Sequence, residues 1–511
     1  VGNERGNAYI ELELRRLPPR PAGDAGSYRQ VVPLVRRGFD RTATLVAGGD
    51  TLRFGVDFVP IAQGTPRSVD GAGVVYGGAI GGAGAPALAA EQVAGKVVVL
   101  AAAGMQALSG LSLGAAFAGA AGVVLALPEE IPAPLRAFGT RSQLALDSAA
   151  FAAAAAGAAS APAPTAPLVL VVGARGTRAL LGAAPSAATV GAAGRTLAGT
   201  VRYQVERAPA SNVVAVLEGR DPALRGSYVA LGAHNDHDGL AARAVDHDSL
   251  KAHRDAYRAI EIALDPEGDE VFTAEQQAER TRRAGAIRVD VDSLRRLRPA
   301  RPDSVYNGAD DDGSGSMALL EIAERFARGA ERPRRSLLFV WHTAEEKGLL
   351  GSRWYGDHPT VPRDSIVAQL NIDMIGRGGA ADVATGGPTY VGIVGSRRLS
   401  TELGALAETV ARAQPTPIRL DYALDADGHP QNIYCRSDHA NYARHGIPVA
   451  FFFTGLHGDY HQLTDEPQYI DYAHYARLTA YIGDLALRLA DRDARPTVDG
   501  VRPAPGAPCR Q

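Results

Sequence analysis

Ser336-Leu-Leu-Phe-Val-Trp341-His342-Thr-Ala-Glu345-Glu346 joins an unbroken apolar run to two adjacent carboxylates. Such a run reads as a strand buried on both faces, the kind found in parallel sheets under helices. Two carboxylates side by side at its end repel each other unless a cation lies close by. The pattern recurs in both directions. Asn212–Leu217 and Tyr228–Gly232 precede it, and Ile366–Ile372, Tyr390–Val394 and Val449–Thr454 follow, with helical stretches such as 316–329 and 398–413 between them. Apolar runs alternating with helices predict an α/β fold whose mostly parallel, mixed central sheet is covered by helices on both faces.

Ligands of open α/β sheets bind beyond the carboxyl ends of the strands, and acids and histidines gather there. The segments are Ala233-His234-Asn-Asp236-His237, Gly308-Ala-Asp310-Asp311-Asp312-Gly-Ser-Gly315, His342-Thr-Ala-Glu345-Glu346, Asn371-Ile-Asp373-Met374 and Asp459-Tyr460-His461. A single histidine at a strand end is most often structural, and an Asp in a Gly-rich turn is explained by local hydrogen bonding. Joint occurrence outweighs those explanations. The acids at 345–346 and 310–312 ask for a cation, and imidazole and carboxylate donors together suit a pair of divalent metals.

These five segments, in this order, resemble those of the di-zinc aminopeptidase and glutamate carboxypeptidase family, which also includes glutaminyl cyclases and transferrin receptor. The resemblance covers roughly 190–490 plus the N-terminal segment and implies a zinc exopeptidase fold. It implies that His234 and Asp373 bind one Zn2+, that Glu346 and His461 bind a second, and that Asp311 bridges the two; other divalent metals suit the same donors. Asp236 would accept a hydrogen bond from the His234 imidazole and fix its tautomer, Asp465 would do likewise for His461, and the peptide bond after Asp311 is often cis in such proteins. Glu345 would be the general base, held off the metal so that it can move a proton. An oxyanion donor is expected as well, with Tyr434, Tyr442 and Tyr460 as open candidates. His237, His439 and His457 read as supporting or structural groups.

The resemblance also divides the chain: an N-terminal segment of the peptidase domain at 1–60, a smaller β-rich α/β protease-associated domain at 61–185, the peptidase domain at 186–490, and a loosely ordered Pro- and Arg-rich tail at 491–511. Within the second, Lys96–Leu100 and Gly122–Leu127 flank a helical stretch at 105–120, and Phe151–Ala166 is low-complexity and Ala-rich. The charged stretch 240–305 interrupts the strand–helix pattern between the first ligand and the bridge and reads as an insertion with its own helices.

Other classes are set aside by composition and motif. Lys plus Arg total 53 against 56 Asp plus Glu, a net charge of −3, which supports neither a nucleic-acid footprint nor a polybasic membrane contact. The two cysteines, Cys435 and Cys509, exclude a thiolate zinc site and make a disulfide framework unlikely, leaving one optional bridge. No apolar stretch is long enough to span a bilayer. Gly110-Leu-Ser112-Leu-Gly114 matches the nucleophile-elbow pattern but lies in an Ala-rich helical stretch, and no His-Glu-x-x-His occurs. The expected function is an aminopeptidase acting on peptides. A carboxypeptidase or other amidohydrolase on the same site is the alternative, as is a silent receptor-like relative, which the retention of every ligand and the base disfavours. Export follows from the resemblance; no signal-like segment is visible, which does not argue against it.

Overall fold

A computed structural model describes residues 2–60, 67–80, 88–104, 117, 119–133, 135–136, 142–147, 168–504 and 506–511. Most of the expected helix at 105–120, the Gly110–Gly114 motif and the whole Ala-rich 151–166 stretch lie outside the described residues. The chain divides into two compact units, Val1–Val32 with Pro209–Gln511, and Pro33–Ala208.

In the first unit, nine strands among the described residues form one sheet. Its order is Arg20–Pro21, Ala210–Leu217, Ser336–His342, Tyr228–His234, Ile366–Ile372, Val449–Phe453, Tyr390–Val394 and Arg419–Asp421, with Arg29–Val32 also paired to Ala210–Leu217. The three inner pairings, from Ser336–His342 to Val449–Phe453, are parallel. Ala210–Leu217 and Tyr390–Val394 join antiparallel, which makes the sheet mixed. Successive side chains on a strand face opposite ways. Thus Val213, Ala215, Val229 and Leu231 pack under the helices Gly2–Leu14, Gly313–Arg328, Thr401–Arg412 and Tyr472–Ala490. Val214, Val216, Ala230, Leu338 and Val340 face Tyr355, Tyr434 and Tyr442 on the other side. Because both faces are covered, the inner strands are mostly apolar, which is why they are visible in the sequence.

The second unit is wider than the 61–185 expected. Among the described residues, Thr44–Ala47 and Asp50–Arg53 join an eight-stranded sheet through Ala193–Val201, and Phe58–Pro60 pairs with Leu168–Val172. Leu34–Phe39 pairs with Gln143–Leu146 and Tyr203–Arg207 in a sheet of three. Strands at 34–60 and 193–207 therefore belong to this unit by hydrogen bonding, although nothing in their composition distinguishes them from their flanks.

The 240–305 insertion carries helices at His247–Leu264, Ala274–Gly285 and Val291–Leu297. Its two ends are also strands: Gly239–Asp246 pairs antiparallel with Pro302–Tyr306. The tail beyond 491 is not loose. Cys435 and Cys509 form a disulfide. The Gln511 side chain donates to the carbonyl of Leu424 at 2.6 Å and accepts from the Tyr434 N–H at 3.0 Å. Among the described residues, no helix is long and apolar enough to cross a membrane.

Candidate metal centre

The candidate ligands meet in one cleft because each is placed where an element stops. His234 ends its strand; its N–H donates to Asp312 Oδ2 at 2.9 Å and its Nδ1 meets the carbonyl oxygen of Asp236 at 3.0 Å, so Nε2 points into the cleft. Asp311 lies in the turn before helix Gly313–Arg328, and the Asp311–Asp312 peptide bond is cis, as the resemblance implied. Asp312 caps that helix by accepting from Gly315 N at 2.8 Å. After the strand Ser336–His342, Ala344 adopts a left-handed φ of +54°. That turn breaks the strand's alternation, so the adjacent Glu345 and Glu346 both reach the cleft. Asp373 follows Ile366–Ile372, and its Oδ2 accepts from Ser437 Oγ at 2.6 Å.

The distances divide the donors into two groups that share Asp311. His234 Nε2 is 3.2 Å from Asp311 Oδ1 and 3.6 Å from Asp373 Oδ1. His461 Nε2 is 3.1 Å from Asp311 Oδ2 and 3.2 Å from Glu346 Oε2. Glu345 Oε2 stands 3.9 Å from His234 Nε2. All but His461 are largely buried, and among the described residues Asp311 Oδ2, Asp373 Oδ1 and Glu346 Oε1 have no well-formed hydrogen bond. Buried anionic oxygens without hydrogen bonds are costly. Placed among imidazole nitrogens they fit a divalent cation, and clusters able to hold one include His234–Asp311–Asp373 and Asp238–Glu346–His461.

The electrostatics say the same. Burial pushes the Glu345 carboxyl well above the usual carboxylate range, and burial also raises Asp373. Burial works against ionised Asp311 too, but the imidazoles of His234 and His461 beside it outweigh that and hold it far below the usual range. For Glu346 the same contest, won by His237 and His461, ends at about 2. Burial opposes protonation of His461, yet Asp311 and Glu346 push it up to about 10. A metal held here would require these imidazoles to be neutral and the carboxylates ionised.

Two sequence expectations need correction. Asp236 meets His234 through its main-chain carbonyl, while its carboxylate accepts the Glu345 N–H at 2.9 Å, because the turn after His234 carries the side chain past the ring. Asp465 does not support His461. Its carboxylate accepts the N–H groups of Asp310 and Asp311, both at 3.0 Å, and so holds the turn that presents the proposed bridge. His237, read as a supporting group, places Nδ1 2.6 Å from Glu346 Oε1. His457 pairs with Asp310 at 3.2 Å, and His439 stacks on Phe451 with its pKa pushed down by burial to about 3.

Of the candidate tyrosines, Tyr460 lines the cleft. Tyr442 is hydrogen-bonded to His342 at 3.0 Å, and Tyr434 lies beneath the Arg398 guanidinium. Met374, Ile433, Phe451, Phe453 and Leu456 form an apolar wall, and Arg436, which the sequence reading overlooked, closes the rim and donates to Tyr460 OH at 3.0 Å. Its only sequence signal is a charged residue directly after Ile433-Tyr-Cys435, a weak one.

Residues 291–486 match Peptidase family M28. The matched residues include Asp311, Glu345, Glu346, Asp373 and His461; His234 lies before them. Leupeptin-inactivating enzyme 1 of Streptomyces exfoliatus is 35% identical over 156 residues, 30% of this chain and 31% of that enzyme. Leucine aminopeptidase 1 of Coccidioides posadasii (strain C735) is 34% identical over 151 residues, 28% of this chain and 36% of that one. The chain thus spans about a third of the length of these two curated relatives. Among solved structures, an aminopeptidase from Aneurinibacillus sp. strain AM-1 aligns over 99% of this chain and 92% of that one, at 14% identity and a TM-score of 0.48.

Proposed function

We propose that this M28 chain is a two-zinc exopeptidase that removes N-terminal residues from peptides. The observation that carries the reading is the division of the Asp311 carboxylate, Oδ1 toward His234 and Oδ2 toward His461. On this reading His234 and Asp373 hold one ion, Glu346 and His461 the other, and Asp311 both. Bound there, the ions supply Lewis-acid polarisation of water and of the scissile carbonyl. Glu345, fixed through its N–H by Asp236, takes the proton of the attacking water and returns it to the leaving amine. Tyr460 accepts a hydrogen bond from Arg436, which leaves its own proton free to donate to the oxyanion.

The apolar wall of Met374, Ile433, Phe451, Phe453 and Leu456 suits an apolar side chain at the N-terminal residue, in keeping with relatives named leucine aminopeptidase. Arg436 on the rim is the observation that favours a second reading, a carboxypeptidase that grips a free carboxylate. A panel of aminoacyl anilides and N-blocked peptides separates the two. Hydrolysis of free-amine substrates with apolar first residues is expected, and cleavage confined to N-blocked peptides with a free carboxylate would refute the aminopeptidase reading.

The unit at 33–208 corresponds to the protease-associated domain in this reading. The Cys435–Cys509 disulfide supports export, because such bridges persist in oxidising compartments.

A further inference from the structure

The insertion is bound to the loop that carries His461. Helix His247–Leu264 approaches that loop with two cations: Lys251 Nζ lies 3.3 Å from Asp459 Oδ2, and Arg254 Nε donates to the Gly458 carbonyl at 2.7 Å. At the far end of the loop, His247 Nε2 meets Tyr469 OH at 3.2 Å. The peptidase core supplies the counterpart. Arg377 pairs with Asp459 at 3.0 Å and with Asp382 at 2.6 Å, while Arg258 of the insertion donates to the Asp382 carbonyl at 2.7 Å.

Two features show that this loop needs outside support. His461 holds a left-handed φ of +54°, a conformation that persists only where surroundings enforce it. The Asp459 carboxylate, two residues before it, is 1% exposed and must be compensated by cations. Arg377 provides one and Lys251 the other. By contrast, the hydrogen bonds of His234 and Asp373 run to Asp236, Asp312, Ser316, Ser437 and the Phe452 carbonyl, none of which belongs to the insertion.

We infer that the 240–305 insertion is a strut that positions His461, through Lys251 and Arg254, and so sets the affinity of one metal position and not the other. The inference rests on the two-zinc reading above. The residues act through the backbone of the loop, so they are positioning residues, and their effect is read as metal affinity.

The experiment is a competition titration of the intact protein with zinc and a chromogenic chelator, which yields two stepwise constants. In Lys251→Met with Arg254→Met, one constant is expected to weaken by about 10- to 100-fold, the range for lost outer-shell support of a ligand, while the other stays within about threefold. Lys251→Arg with Arg254→Lys, which keeps both donors, should restore the pair, and Arg282→Met, on the insertion but paired only with Glu279, should change neither constant. In a His461→Ala background the double Met change should add nothing further. Two unchanged constants in the double variant overturn the strut, as does equal weakening of both. A wild-type protein that binds fewer than two zinc ions instead overturns the two-zinc reading, and the strut with it.

Discussion

Replacing Asp236 by Ala separates two jobs that sit on one residue. The carbonyl oxygen of Asp236 meets His234 Nδ1 at 3.0 Å, and the substitution leaves it in place. The carboxylate accepts the Glu345 N–H at 2.9 Å, and the substitution removes it. A hydrogen bond to a charged acceptor contributes about 1.5–3 kcal/mol. If that energy serves to hold the proposed base in register, kcat falls by about 10- to 150-fold, at 1.36 kcal/mol per factor of ten. Asp236→Asn keeps an acceptor oxygen without its charge, so its loss should be about tenfold or less. The assay is steady-state hydrolysis of a leucyl anilide, with zinc measured on the same samples. Both variants should keep the wild-type zinc content. Zinc lost in parallel with activity in Asp236→Ala would refute the argument, because it would show the carboxylate acting on the His234 imidazole after all. Wild-type turnover in Asp236→Ala would refute it from the other side.

Glu345→Gln should keep its zinc and lose about 10²- to 10⁴-fold in kcat, the usual worth of a positioned general base; normal turnover would remove Glu345 from that role. Stripping metal with a chelator should lower the melting temperature, and each ion restored at about 100 times its Kd should return about 2.7 kcal/mol, followed by calorimetry with and without zinc. Reducing Cys435–Cys509, a pair 74 residues apart, releases a loop whose closure is worth about 4 kcal/mol in the chain-entropy account, so melts with reductant should show a clear downward shift. In the second unit, Asp57 is buried; burial alone would raise its carboxyl, but Arg53 and Arg175 outweigh that and hold it below its ordinary pKa. A lowered folded pKa gives stability that is present above the unfolded value and lost as pH falls through the folded one. Asp57→Asn should therefore cost about 1–3 kcal/mol at pH 7. The gap should narrow as urea melts are taken below about pH 4.

The central sheet was legible because its strands are buried on both faces. Ser336–His342 and Ile366–Ile372 contain no solvent-facing position to break the apolar run, and the boundaries read from sequence agree with the observed ones to within a residue or two. The gathering of His234, Asp311, Glu346, Asp373 and His461 was legible for a related reason: polar groups at the ends of such runs converge on one edge of the sheet. What escaped was anything decided by an atom rather than a residue. Whether Asp236 offers its carbonyl or its carboxylate to His234 depends on one turn, and Asp465 serves the Asp310–Asp311 amides because the fold brings them together across 155 and 154 positions. The limits of the second unit escaped because Leu34–Phe39, Thr44–Ala47 and Phe58–Pro60 take partners more than 100 positions away. The tail looked loose because its anchors, Cys435 and the groups that Gln511 meets, are remote in sequence.

The short antiparallel pair Gly239–Asp246 with Pro302–Tyr306 gives the insertion a closed neck. Its first and last residues lie side by side, so the sheet and its covering helices are blind to how many residues hang between them, and the entropy of the enclosed segment is settled at the neck. Such a graft point lets the helices beyond it be lengthened or shortened while the scaffold stays continuous, provided that Lys251, Arg254 and Arg258 keep their partners. A change made within those helices would then act on one proposed metal position without rewriting the residues that surround either.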